Sequence, residues 1–286
     1  GKVLKSFRGL PSPRLAKVAA DGPGKIVAVF NRPLPEVNVR LLTDSFALQI
    51  HSIESSPLMD TIVYWYRNLT ADTAVFLVGE VGHEDTVVAR LVKKDAPSLR
   101  KNPLRLGFQF TSLASGNQSP FAALQIESRQ PVVKLDTALI TLRSDGKNIS
   151  TSGFRRVPGS ERRFELPVAW NEGGRYELSF LPGAFTDIFG LVNDSLEQEF
   201  EVASATDFGS LKVNISGTVS GKRYIVQLID EKSRVVAETV LSSDSTFMLS
   251  GLAPATYRLK ITDDLDKNGR WNTGDYLKNL QPEPVI

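Results

Sequence analysis

Short runs of β-branched and aromatic residues recur along this chain at intervals of about ten residues, with Pro, Gly, Asn and Asp between them. Such runs predict β-strands, and no window combines helical periodicity with caps over more than two turns. The spacing is typical of β-sandwiches. The predicted strands are 25–30, 46–50, 61–66, 74–78, 86–92, 104–110, 132–135, 139–142, 163–166, 176–180 and 197–202, followed by a more regular C-terminal series.

The C-terminal series has the clearest alternation of apolar and polar residues. Successive side chains of a strand point to opposite faces, so the apolar set of each strand is expected to face a core. A shift of one residue in register would send each set into water. The three sets are Leu211, Val213 and Ile215; Tyr224, Val226 and Leu228; and Tyr257, Leu259 and Ile261.

Chain length and punctuation predict three consecutive domains. At 286 residues the chain exceeds one ordinary sandwich. A polar segment with two prolines, 95–103, and a short linker, 204–207, mark plausible boundaries. We therefore expect an all-β fold of tandem β-sandwich domains at 1–97, 98–206 and 207–286.

Charge and cysteine content exclude several classes of function. The net charge is +2 and both signs are interleaved, which argues against a nucleic-acid partner. The absence of cysteine excludes disulfides, thiolate nucleophiles and cysteine-ligated metals. No apolar run approaches the ~18 residues of a membrane span. The chain begins with Gly1-Lys2, so we expect processing, with membrane contact only through a lipid anchor outside the visible chain.

Residues 264–275 match the ligand spacing of a calcium loop. Oxygen-bearing side chains occupy its first, third, fifth, ninth and twelfth positions, and Gly269 occupies the sixth, where the loop must turn sharply. The arginine would contribute its carbonyl oxygen, and Asn272 a direct or water-mediated contact. The predicted metal ligands are Asp264, Asp266, Asn268, Arg270, Asn272 and Asp275.

The alternative for this segment is a simple turn. Asn268-Gly269 is a strong hairpin-turn dipeptide, and neighbouring Asp and Asn residues can form Asx turns. The twelfth residue is Asp275 rather than the longer Glu, and a strand rather than a helix precedes the loop. A turn alone, however, gives no reason to gather acids that repel one another. Both interpretations stay open, with calcium as the expected cofactor of the first.

Residues 247–259 resemble a turn of the transthyretin-like folds found in carboxypeptidase-regulatory and Cna-B type domains. There a strand ending in Phe-x-apolar is followed by Leu-x-Pro-Gly-x-Tyr; here Ala255 stands where Gly is usual. Residues 170–178 and 182–190 resemble the end of a bacterial Ig-like domain of the S-layer SbsA type. With 207–211 and 281–283, the order is similar to Ig-like lipoproteins of Gram-negative envelopes. The resemblance covers about the last two-thirds of the chain and implies an Ig-like domain followed by a transthyretin-like domain. We expect the first domain to be Ig-like as well.

Other chemistry-bearing residues have structural alternatives. His51 falls in a strand, whereas His83 lies with Glu80, Glu84 and Asp85 in a predicted hairpin loop. The acids could act as a hydrolase site or metal site, or be a solvated tip. The tryptophans could stack on sugars, but a core position is expected for both Trp65 and Trp271. Trp65 is expected to anchor a sandwich core, and Trp271 to cover the hairpin beneath the acidic loop. The three tryptophans are Trp65, Trp170 and Trp271.

Asp-(Ser/Thr) followed by an apolar residue or Thr recurs at least six times, above the about one expected from average composition. The pattern is similar to the O-glycosylation acceptor of exported proteins in some Gram-negative bacteria. The same triplet is also a natural way to leave a turn and begin a strand. The triplets begin at Asp60, Asp72, Asp85, Asp136, Asp194 and Asp244.

Together these features predict a non-catalytic structural or interaction module of the cell envelope, stabilised by calcium if the loop binds it. It would be exported, facing the periplasm or cell surface, and its partner would be an envelope protein or a glycan. The alternative is a carbohydrate-binding module at the cell surface. No nucleophile elbow, phosphate loop or zinc-protease motif is present, so we expect no enzymatic activity.

Overall fold

The computed structural model describes residues 15–31, 38–42, 48–56, 60–80, 83–92, 104–231, 234–269, 271 and 281–285. Regular structure there is almost entirely β-strand, with short 3-10 helices at Thr137–Leu139 and Ala205–Asp207. The fold is all-β, as predicted. No helix among these residues has the length and apolar character needed to cross a membrane.

The N-terminal strands form two antiparallel sheets that face one core. The strands are β1 (Leu15–Ala20), β2 (Lys25–Phe30), β3 (Asn38–Leu41), β4 (Ile50–Ser55), β5 (Thr61–Tyr66), β6 (Thr73–Glu80) and β7 (His83–Arg90). Their orders are β1-β2-β5-β4 and β3-β6-β7. Buried residues of β2, β5 and β6 share one cluster, so this region is a sandwich.

One predicted strand of this sandwich is wrong. Residues 46–50 were expected to be extended, but the described part of this segment is a turn with Gln49 at φ 52°. The strand begins only at Ile50. Leu48 is fully buried in the first core. The apolar signal therefore came from a side chain that reaches the core without being in a strand.

The central strands form a second sandwich. They are β8 (Phe108–Phe110), β9 (Asn117–Gln118), β10 (Leu124–Ser128), β11 (Val132–Leu135), β12 (Ile140–Ser144), β13 (Lys147–Ile149), β14 (Arg155–Arg156), β15 (Arg163–Leu166), β16 (Arg175–Phe180), β17 (Phe185–Asp187) and β18 (Leu196–Val202). Sheets β14-β15-β10-β8 and β13-β12-β16-β18-β9 enclose one apolar cluster, and β11 pairs with β17. Trp170 lies in this core, edge-on to Tyr176.

The C-terminal strands are β19 (Gly209–Ile215), β20 (Tyr224–Asp230), β21 (Val235–Leu241), β22 (Ser245–Leu252) and β23 (Tyr257–Asp263). They form a β19-β22 pair and a β21-β20-β23 sheet. Register places Leu259 opposite Leu228, so the predicted apolar faces are right. The core is shallower than expected, however, because Leu259 is 41% exposed.

Described strand pairs always join two strands of the same region: 15–90, 108–202 or 209–263. The domain limits at residues 97 and 206 stay a prediction, and the segment around the first limit, 93–103, lies outside the described residues.

Trp65 does not anchor the core of the first sandwich, contrary to the prediction. In β5, Ile62, Tyr64 and Tyr66 join the core cluster, whereas Trp65 does not belong to it. Alternation therefore points Trp65 to the outer face of its sheet. The residue is nevertheless only 2% exposed, because the second sandwich covers it.

Arg162 of the second sandwich makes that cover. Its Nε lies 3.0 Å from both carboxylate oxygens of Glu54 in β4, and its guanidinium carbon is 5.4 Å from the centre of the Trp65 ring. It also pairs with Glu127 and donates to the Ser128 carbonyl at 3.2 Å. A planar donor fork in a partly dry site can hold two carboxylates and an aromatic face at once. Arg162 thus joins the first two sandwiches.

The turn at 187–191, within the segment that resembles an Ig-like motif, is held by a buried carboxylate. The fully buried Asp187 accepts hydrogen bonds from the N–H groups of Phe189 at 2.8 Å and Leu191 at 2.9 Å. Gly190 adopts φ +78°, which favours glycine. Burial raises the pKa of the Asp187 carboxyl above its ordinary value, against the lowering effect of these N–H groups.

Substitutions at Asp187 should therefore separate its charge from its shape. Because the folded pKa is raised, the folded state binds the proton more tightly, and stability falls as pH rises between the unfolded and folded pKa values. Asp187→Asn should remove that fall and raise the free energy of unfolding at neutral pH. Asp187→Ala should lower it by about 1–3 kcal/mol, because two buried N–H groups lose their acceptor. Urea unfolding across a pH series measures both; identical pH profiles for Asp187→Asn and wild type would contradict the assignment.

Candidate functional site

The predicted cation loop begins where the last strand ends. Asp264 directly follows β23 and is 1% exposed. Its backbone N–H donates to the Arg223 carbonyl at 2.8 Å, which extends the pairing of β20 with β23 by one residue. The strand ladder therefore fixes the first predicted ligand.

The loop is closed by its own backbone. The Asp264 carboxylate accepts the N–H groups of Asn268 and Gly269, each at 3.0 Å. Asp266 also accepts from the Asn268 N–H at 3.1 Å. Lys267 and Gly269 have φ values of 60° and 77°. The sharp turn predicted for the sixth position is confirmed, and these are the contacts that the simple-turn interpretation requires.

Two basic residues offset the acids, and the sequence analysis did not identify them. Lys222 pairs with Asp263, and the Arg223 Nε lies 3.3 Å from Asp264 Oδ2. Arg223 also donates to the Lys267 carbonyl at 3.0 Å. Hydrogen bonding to Asp263 raises the pKa of Lys222. The acids Asp263 and Asp264 are thus paired with the bases Lys222 and Arg223. Repulsion between the acids therefore does not by itself require a metal ion.

A further acid reaches the loop from the end of the chain. Glu283 is 5% exposed and accepts the Leu265 N–H at 2.8 Å. One carboxylate oxygen from each of Asp264, Asp266 and Glu283 lies within 4.8 Å of the others. Sequence spacing could not reveal Glu283, because a non-local bridge between Thr262 and Val285 brings it there.

Three of the six predicted ligands lie in described residues: Asp264, Asp266 and Asn268. The first two converge with Glu283, whereas the Asn268 side chain donates to Asp266 at 2.9 Å. The other three, Arg270, Asn272 and Asp275, lie outside the described residues.

Trp271 is not a core residue, contrary to expectation. It is 40% exposed, its indole N–H donates to the Glu283 carbonyl at 3.1 Å, and the Lys260 ammonium lies 5.2 Å from its ring centre. It therefore holds the C-terminal segment beside the loop.

The other candidate groups, which are His51 and the acids around His83, lie in or beside β-strands. His83 pairs with Glu80 across the β6-β7 hairpin, which confirms the hairpin, although Glu80, His83, Glu84 and Asp85 lie in its strands and not in its loop. The side chains of these four residues lie outside the described part. Acid–base or metal chemistry there stays a prediction. His51 lies at an irregularity of β4, with its Nε2 2.7 Å from Glu161 Oε2 and its Nδ1 2.9 Å from Arg67.

The Asp-(Ser/Thr) triplets often mark the start of a strand. Thr61, Thr73 and Ser245 are the first residues of β5, β6 and β22. Asp244 accepts from the Thr218 hydroxyl at 2.6 Å, which lowers the pKa of its carboxyl. These contacts support the structural alternative for those triplets; glycosylation stays a prediction.

A cleft lies at the junction of the first two sandwiches. Its volume is about 440 Å³, and its walls include Asp21, Lys25, Trp65, Arg129, Gln130 and Arg162. Lys25 pairs with Asp21 at 2.7 Å. Two buried side-chain atoms of this wall, Trp65 Nε1 and Gln130 Oε1, have no hydrogen-bond partner among the described residues.

No protein-family model and no curated protein matches the chain. Among solved structures it is similar to the MG0-NIE-MG1 part of Escherichia coli alpha-2-macroglobulin, with 12% identity, coverage of 96% of both chains and a TM-score of 0.26. It is also similar to the S-layer protein SbsC, with 14% identity over 92% of this chain and 34% of that chain, and a TM-score of 0.31. A Bacteroides ovatus protein, SGBP-B in complex with a mixed-linkage heptasaccharide, has 12% identity over 82% of this chain and 64% of that one, with a TM-score of 0.27. At these scores the similarities assign neither family nor activity.

Proposed function

We propose that this chain is a non-catalytic structural or interaction module of a bacterial cell envelope. The observation that carries the proposal is the junction at Arg162, which connects Glu54 and Trp65 of one sandwich to Glu127 of the next. A spacing or scaffolding module requires neighbouring domains to keep a fixed orientation, and charged and aromatic side chains are used here for that purpose. The Asp-(Ser/Thr) triplets and the lipoprotein resemblance add support for export.

The proposal includes the finer domain types suggested by the sequence, namely two Ig-like domains followed by a transthyretin-like domain. Two local contacts support it. The Tyr257 hydroxyl donates to the Ala253 carbonyl at 2.7 Å, closing the turn that resembles the transthyretin-like motif. Ala255 is not at positive φ, so its departure from the usual Gly causes no strain. In the Ig-like motif, the Asn171 N–H donates to the Tyr176 hydroxyl at 3.0 Å.

Carbohydrate binding through stacked tryptophans is not favoured. Trp65 and Trp170 are both buried, so neither offers a ring face to a sugar. Only Trp271 is partly exposed, and one exposed ring forms no platform of clustered aromatics.

The envelope assignment is tested by fractionating native cells and probing with an antibody to the chain. We expect the protein in the envelope fraction, cross-linked after mild in situ treatment to a specific envelope component. Recovery in the cytosolic fraction would contradict the proposal, and so would turnover of a glycan, ester or peptide substrate by the purified protein.

We also propose that calcium binds at the tip of the third sandwich and stabilises it. The converging carboxylates of Asp264, Asp266 and Glu283 supply hard oxygen ligands, and calcium takes six to eight oxygens, so others would come from the loop or from water. Arg223 already lies beside Asp264 and would compete with the ion.

Calorimetric titration of chelator-treated protein tests the calcium proposal. We expect a Kd of about 0.1–1 mM, as for extracellular modules, and a rise in Tm on binding. Glu283→Gln should weaken binding, because a converging charge is lost. Arg223→Gln should strengthen it, because the competing cation is gone. Glu238→Gln, on the exposed part of β21, is the matched control. Absence of heat and of any thermal shift would leave the simple turn as the correct interpretation.

A further inference from the structure

The cleft at the junction of the first two sandwiches has the size of a small-molecule site. Its volume of about 440 Å³ falls within the usual range for ligand pockets. One wall comes from the outer face of β2 and β5, where Lys25 lies directly across from Trp65. The opposite wall includes Arg129 and Gln130, which lie between β10 and β11 of the second sandwich.

Two deeply buried polar groups of this cleft remain unpaired. Trp65 and Gln130 are 2% and 6% exposed, yet the indole N–H and the amide oxygen have no hydrogen-bond partner among the described residues. The Gln130 amide nitrogen is fixed, because it donates to the Arg105 carbonyl at 3.3 Å. Leaving a buried donor and a buried acceptor unpaired is unfavourable. A ligand that relieves both must accept and donate hydrogen bonds, as a hydroxyl group does.

One cation of the cleft, Arg129, is available to an anion. Lys25 is paired with Asp21, and Arg162 with Glu54 and Glu127. Arg129 has no carboxylate within 4.0 Å among the described residues, although its side chain lies at the cleft and packs over Gly107. An exposed guanidinium binds a carboxylate through two parallel N–H donors.

The ring of Trp65 cannot serve as a stacking platform. The Lys25 ammonium and the Arg162 guanidinium lie 5.8 Å and 5.4 Å from its centre, so both are within cation–π range. The N–H, rather than the ring face, is therefore the group of Trp65 that still lacks a partner among the described residues. This distinguishes the cleft from a site that recognises sugars by aromatic stacking.

We propose that the junction cleft binds a polyhydroxylated carboxylate, either a uronic acid sugar of a glycan or a free open-chain sugar acid. The carboxylate pairs with Arg129, and a hydroxyl accepts from the Trp65 N–H or donates to Gln130. This goes beyond the proposed envelope role, because a spacer needs no small ligand, and it is independent of the calcium loop.

Indole NMR signals of the full chain provide the test, since there are three tryptophans and Trp65→Phe identifies the relevant signal. The probes are methyl glucuronoside, sodium gluconate and the neutral methyl glucoside. We expect a saturable shift of the Trp65 N–H signal with one or both acids and none with the neutral sugar. The more tightly bound acid indicates whether a glycan or a free sugar acid is the source.

Arg129→Gln should weaken binding of the acid about tenfold through loss of the charge-assisted pair. Arg258→Gln, an exposed arginine of β23 in the third sandwich, is the matched control and should leave binding unchanged. An unmoved Trp65 signal with both acids, an equal shift with the neutral sugar, or unchanged affinity in Arg129→Gln would each overturn the proposal.

Discussion

The guanidinium of Arg162 lies at the centre of the contact between the first two sandwiches, beside a second cross-junction pair formed by His51 and Glu161. Arg162 lies against the outer face of Trp65 and is shared by Glu54 and Glu127. Without it, two carboxylates would face each other without a counter-charge, and a large indole would lose its cover. Because the two walls of the junction cleft belong to different sandwiches, the shape of the cleft also depends on this contact.

In the third sandwich, ion pairs order the tip of one domain and do not join two domains. This sandwich has a shallow core, with Leu211 and Leu259 partly exposed on inward faces. Order at its tip relies on the Lys222–Asp263 and Arg223–Asp264 pairs. These pairs neutralise acidic charge at the tip, as a bound metal ion would. If calcium binds there, it adds to a tip that is already closed, and its effect should be stabilisation rather than folding.

Strand positions could be predicted where β-branched runs are bounded by turns, as the observed limits of β2, β5, β11 and β15 show. The sequence of β5 also contains a signal for its covered outer face: Val63 and Trp65 make the second face of this strand apolar, which is typical of a strand covered on both sides. The partners Arg162 and Glu283 could not be predicted, because both reach their sites through long-range pairing. The spacing of residues within 264–275 predicts the turn at Gly269, but it does not predict which residues from other parts of the chain contact the loop.

Arg162 holds the first two sandwiches in one orientation, and this can be measured directly. The chain has no cysteine, so spin labels can be attached cleanly at Val88→Cys of β7 and Lys147→Cys of β13. Pulsed electron paramagnetic resonance measures the distance between the two labels. We expect one narrow distance distribution in the otherwise unchanged protein and in the control variant Arg155→Met. In Arg162→Met we expect a broad distribution. A broad distribution before any change at Arg162, or a narrow one after it, would contradict the account.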